Sequence, residues 1–236
     1  MRSQRAVITA FSVLLLLMAV GHSMGRLIYA RTFTAMGVRL GYTSLFEVVL
    51  MVYFAALCAL TPTGAARPPA WTRAVKAVLW GLLLFGSGFH LVGGEQQNLA
   101  MQLGISGPLL AQATFYDDAG HWLLITVVSC LLAVMGYQEI IDPARPALTA
   151  RERGLVVAEG LLLAAGASLT AIISHFALWF VLLCLLGLLV LAFSRPLRSP
   201  LSAYASSFFS FSLVLVTLWA LLPVAVRERV LRPYAP

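Results

Sequence analysis

The sequence predicts an all-α, polytopic membrane protein: a bundle of seven transmembrane helices with the N-terminus inside and the C-terminus outside. Three observations carry this. The 236 residues are 61% hydrophobic and only 11% charged, against roughly 45–50% apolar usage in a soluble domain. About seven apolar runs follow one another with short connections, each close to the ~20 residues that a helix needs to cross a ~30 Å hydrocarbon core. Finally, Lys and Arg gather in the connections, where they set orientation: ten fall on the inner side of an N-in arrangement and six on the outer side. No soluble domain is left over, so residues 1–236 read as one integral membrane domain. The net charge of +7 is accounted for by these loops, and it is not read as a nucleic-acid surface.

Residues 1–5 are basic and precede a first apolar run at 6–24. Gly21-His22-Ser23-Met24 is a poor small-x-small cleavage site, so the run reads as a retained anchor rather than a secretory signal. The second span is 44–60, with Glu47 near its start. The third is 74–92 and ends on His90. Residues 96–114 are only modestly apolar and contain Gly104, Gly107 and Pro108; they read as a re-entrant or interfacial piece, which survives at membrane depth only under cover of protein or a wet cavity. The fourth span is 120–137. Between Arg153 and Arg195 the chain is almost uncharged and long enough for two spans, 155–173 and 176–194, with the break at Ile173-Ser174-His175. The seventh span, 203–222, is closed by Pro223, Arg227, Arg229 and Arg232. Its serines, Ser206, Ser207, Ser210 and Ser212, suit close helix packing. Cys58, Cys130 and Cys184 all lie in apolar runs and are odd in number, which fits buried packing residues rather than disulfides.

The candidate site comes from threading these spans. Phe85–Trp122 is rich in polar groups yet has no Lys or Arg. His22 ends the first span, Glu47 starts the second, His90 ends the third, Asp117, Asp118 and His121 open the fourth, and His175 sits at the turn between the fifth and sixth. All four histidines therefore fall on the outer face. Asp117 and His121 are four residues apart and Asp118 and His121 three, so either carboxylate shares a helix face with the imidazole. Two chemistries want this pattern. One is a metal site for Zn²⁺ or another transition metal, with His90, His121, His175 and Asp117 as ligands. The other is a metal-free Asp–His general-base pair, in which Asp117 or Asp118 takes part. A structural alternative is that Asp117 or Asp118 merely caps the fourth helix. Glu47 either joins the site as a fifth member or pairs with Arg39, and Glu159 either snorkels, pairs with Arg153 or belongs to a proton path. Gly86 and Gly88 beside His90 would let a neighbouring helix come close.

At Ser87–His90 and Asp117 the pattern resembles the intramembrane zinc hydrolases that include the alkaline ceramidases and adiponectin receptors. In that superfamily seven helices carry a Ser upstream of a His, a later Asp, and a His pair on the last helix. The resemblance covers the third and fourth spans only. Ser87 is one residue closer to His90 than in the family pattern, Asp117 lies further along, and the seventh span has no histidine, so His121 and His175 would replace the last pair. The resemblance implies Ser87 as a further catalytic-site residue and a metal-dependent attack on a lipid-like ester or amide. The readings set beside it are a small transporter or a metal or haem carrier, and a structural or assembly subunit. A bacterial-type plasma (inner) membrane is the expected location, with the lipid bilayer as surroundings and the site on the outer face.

Overall fold

Backbone N–H and C=O groups in hydrocarbon have no water to bond, so a spanning segment satisfies them internally as a helix. The computed structural model describes residues 9, 12, 13, 16, 32–35, 38–41, 69–140, 148–192 and 199–231. Among these are six helices: α1 (Ala70–Gln102), α2 (Pro108–Ile140), α3 (Ala150–Ile173), α4 (Ala177–Ala192), α5 (Pro200–Leu221) and α6 (Val224–Leu231). Four of them, α1, α2, α3 and α5, are long and apolar enough to cross a membrane, and α4 is a shorter apolar helix. The chain is an integral membrane protein. The described residues give four candidate spans in place of the expected seven. The expected spans 6–24 and 44–60, with His22 and Glu47, lie outside the described residues, except that Thr9, Ser12, Val13 and Leu16 are helical.

The described residues are helical, as the sequence predicts, but for one short strand pair: β1 (Thr32–Ala35) and β2 (Val38–Gly41) pair antiparallel, with Ala35 opposite Val38 and Thr32 opposite Gly41. Only Met36 and Gly37 separate the two strands in sequence, the short spacing of a hairpin. Residues 96–114, expected to be a re-entrant or interfacial piece, form the two helical arms of a hairpin whose turn is confined to 103–107. Its glycines determine this. Gly104 takes φ +62° and the Ile105 N–H bonds the Ala100 carbonyl at 2.9 Å, which is the Schellman closure of a helix C-terminus. Gly107, at φ +83°, then accepts from Ala111 N, and Pro108 opens α2 at a position where a missing N–H costs nothing. The third and fourth spans are therefore much longer than 74–92 and 120–137. Each of α1 and α2 has 33 residues, about 50 Å of helix, well beyond a ~30 Å hydrocarbon core.

The chain divides into two compact units, one comprising residues 2–62 and 73–127 and the other Met1, 63–72 and 128–236. In the second unit α5 is the central element. Pro200 to Phe209 are all buried, and α5 packs chiefly on α3 and then on α4. Small residues set the spacing: a Cβ on Gly160 would lie 2.7 Å from Ser207 Cβ, and one on Gly187 would lie 2.5 Å from the Phe209 ring. The turn between α3 and α4 falls at Ser174-His175-Phe176. α3 starts from a capping box in which the Thr149 side chain and Glu152 satisfy each other's backbone N–H.

α5 is capped from a distant part of the chain. Its N-cap Ser199 makes no side-chain cap bond; instead Glu139, 5% exposed, accepts from Leu201 N at 2.7 Å and Ser202 N at 3.2 Å. A carboxylate at these orphan donors is also favoured by the helix dipole. Glu139→Ala should lower stability by about 1.5–3 kcal/mol, the usual worth of hydrogen bonds to a charged group. Thermal unfolding in detergent would read this, and Glu139→Gln, which keeps an acceptor, should lose less.

Candidate metal centre

The first unit contains the functional cluster. α1 and α2 run antiparallel on either side of their short turn, and glycines let them touch backbone to backbone. A Cβ on Gly93 would lie 2.3 Å from Asp117 N, and one on Gly120 would lie 2.4 Å from His90 N. The two contacts are reciprocal, since each glycine faces the residue of the pair that carries chemistry. Further along the same seam, a Cβ on Gly86 would meet Leu123 at 3.2 Å, while Gly88 has nothing within 4 Å. Only Gly86 of that expected pair therefore serves the approach. Leu83, Ala113, Leu124 and Val127 are buried and continue the apolar seam at three- and four-residue steps.

This approach brings His90, Asp117 and His121 together. His90 Nδ1 lies 2.6 Å from Asp117 Oδ1, and His121 Nδ1 lies 3.8 Å from Asp117 Oδ2. One carboxylate thus faces two imidazoles, one with each oxygen. The His90 and His121 ring centroids are 4.1 Å apart with a 47° tilt, and one ligand atom from each of the three residues lies within 4.8 Å of the others. The site is partly sheltered: side-chain exposures are 15% for His90, 18% for Asp117 and 27% for His121. Phe89 stacks edge-on against Tyr116 at 5.5 Å, and Gln112 Nε2 donates to the Tyr116 hydroxyl at 2.9 Å, so the residues adjoining His90 and Asp117 in sequence are themselves fixed. His90 and His121 lie about 18–20 Å of helix from the turn, counted at 1.5 Å per residue.

The remaining expected residues are placed as follows. Asp117 and Asp118 lie in the third turn of α2, which begins at Pro108, so neither caps that helix. Asp118 is half-buried beside Asp117. The Ser87 hydroxyl donates to the Leu83 carbonyl at 2.8 Å, a bond within its own helix. His175 belongs to the second unit, where it occupies the α3–α4 turn, and the three-residue group does not include it. Glu159 is buried in α3. Sequence reasoning missed Gly93 and Gly120. The signal was present, since Gly120 sits between Asp117 and His121, and Gly93 is one turn from His90.

Two histidines and a carboxylate are a donor set for a transition metal with a position left open for water or substrate. The same contacts, without metal, form an Asp–His pair in which the carboxylate orients an imidazole. Comparison with protein-family models, with curated proteins and with solved structures found no match to the chain.

Gly120→Ala and Gly93→Ala should each destabilise the helix pair, by about 1–3 kcal/mol as in other overpacked interiors, because the new methyl meets backbone that cannot rotate away. Gly88→Ala, facing open space, should leave stability unchanged. Thermal denaturation of the three variants side by side checks this.

Proposed function

We propose that the protein is a membrane metalloprotein that holds a zinc-class transition-metal ion between His90, Asp117 and His121 and hydrolyses a lipid-like ester or amide. The observation that carries the reading is the convergence of these three side chains from two helices, with the ligand atoms within 4.8 Å of one another. The donor set fits such an ion: neutral imidazole nitrogens and a carboxylate oxygen suit zinc, and two histidines with one carboxylate occur in catalytic zinc sites. Such an ion would act as a Lewis acid that makes water a nucleophile near neutral pH. The protein's own groups do the rest. His90, His121 and Asp117 would hold the ion, and Asp117 or the neighbouring Asp118 would serve as the general base. The resemblance at Ser87, His90 and Asp117 to intramembrane zinc hydrolases points to the same substrate class. The excess of Lys and Arg in the inner connections supports an N-in, C-out chain with this site towards the outer face of a plasma membrane.

Metal analysis of the purified chain tests the reading. We expect about one ion per chain in the wild type, with His90→Ala, Asp117→Ala and His121→Ala each losing most of it, and Ser87→Ala keeping it. Stoichiometric metal that survives all three ligand changes would overturn the site. A metal-free wild type that still hydrolyses lipid-like esters, and loses that activity in Asp117→Asn, would favour the Asp–His pair that the 2.6 Å contact also supports. For orientation, labelling of an engineered C-terminal cysteine in intact cells is expected; labelling in inverted vesicles alone would reverse the assignment.

A further inference from the structure

A second site lies in the other unit, where the α3–α4 turn meets the end of α5 and the short α6. Helix α3 closes by a Schellman bond from Phe176 N to the Ala171 carbonyl, 3.0 Å. Its left-handed position, normally glycine, is His175 at φ +59°, the one non-glycine residue with positive φ among those described. A side chain kept where glycine would be easier points to a use for that side chain. It lines a cavity of about 440 Å³ together with Ile172, Leu178, Trp219, Arg227 and Glu228. This is within the range of small-ligand sites. The cavity is level with the end of the apolar span Pro200–Leu221, the depth at which Trp and Arg gather at a membrane interface.

The lining is chemically specific. Arg227 Nε is buried and has no hydrogen-bond partner among the described residues, so a ligand with acceptor oxygens would remove a standing cost. Guanidinium is matched geometrically to phosphate. Glu228 beside it opposes a ligand that is purely anionic, and together with the indole of Trp219 it suits an ammonium. Leu178 is 76% exposed and Val224 57%, so apolar chains attached to such a headgroup could leave the cavity along these residues into the bilayer.

We infer that this cavity binds the headgroup of a phosphoethanolamine lipid, its phosphate on Arg227 and His175 and its ammonium on Glu228 and Trp219. The inference is independent of the metal reading, since it uses none of those residues.

The test is native mass spectrometry of the full-length purified chain after exchange into vesicles of phosphatidylethanolamine, phosphatidylglycerol or phosphatidylcholine, followed by delipidation. One phosphatidylethanolamine per chain should persist where the other two lipids are lost. Retention should fall at least about tenfold in Arg227→Gln and in Glu228→Gln. His175→Gly relieves the turn while removing the imidazole, so it should fold at least as well as wild type and still bind more weakly. Equal retention of the three lipids would overturn the inference, as would undiminished retention in Arg227→Gln or His175→Gly. Free phosphoethanolamine provides the remaining arm: binding as tight as that of the lipid would overturn the lipid assignment in favour of a soluble phosphoamine.

Discussion

The close contact of α1 and α2 at Gly93 and Gly120 is the constraint on which the candidate centre depends. Between membrane helices there is little hydrophobic gain from association, because lipid is as apolar as leucine, and cohesion comes from packing through small residues. Any side chain at either glycine would push into partner backbone, and His90 would be carried away from Asp117. The second unit uses the same device with other partners, since Gly160 lies against Ser207 and Gly187 against the Phe209 ring. In each case the glycine matters for the space it leaves rather than for a turn.

Several polar groups in apolar surroundings are satisfied locally. The hydroxyls of Ser87, Thr114, Thr126, Thr170 and Ser207 each donate to the carbonyl one turn earlier. Glu139 is absorbed in a different way, by capping α5. Two polar clusters stand apart from these local arrangements. One is the pair of imidazoles facing the Asp117 carboxylate; the other is Arg227 with His175 around their cavity.

The amino-acid sequence alone determined that this is a helical membrane protein, because apolar content and run length are properties of composition and need no folding to read. It also singled out His90, Asp117 and His121, since polar residues in oily sequence are conspicuous, and the four-residue spacing of Asp117 and His121 is itself a statement about a helix face. Helix ends were less legible. Gly104, Gly107 and Pro108 mark a re-entrant or interfacial piece in the sequence, and the structure confines the irregular backbone to five residues. Asp117 is thereby moved from a helix end into a helix interior, and a capping role is removed. The strand pair Thr32–Ala35 and Val38–Gly41 escaped because each strand has only four residues, too short for a periodic signal.

Only the tertiary structure decided which polar residues meet. His90 reaches Asp117 because two glycines from different helices oppose each other's functional neighbour, a coincidence of register that no single segment encodes. His175 had the same sequence credentials as His90, yet its surroundings are Arg227, Glu228 and Trp219. Those partners come from the end of α5 and from α6, some forty to fifty positions later in the chain. Sequence fixes which side chains are expensive to bury in a membrane; packing fixes which of them pay that cost together, because contact depends on interhelical approach, and approach depends on the small residues facing each other across the seam.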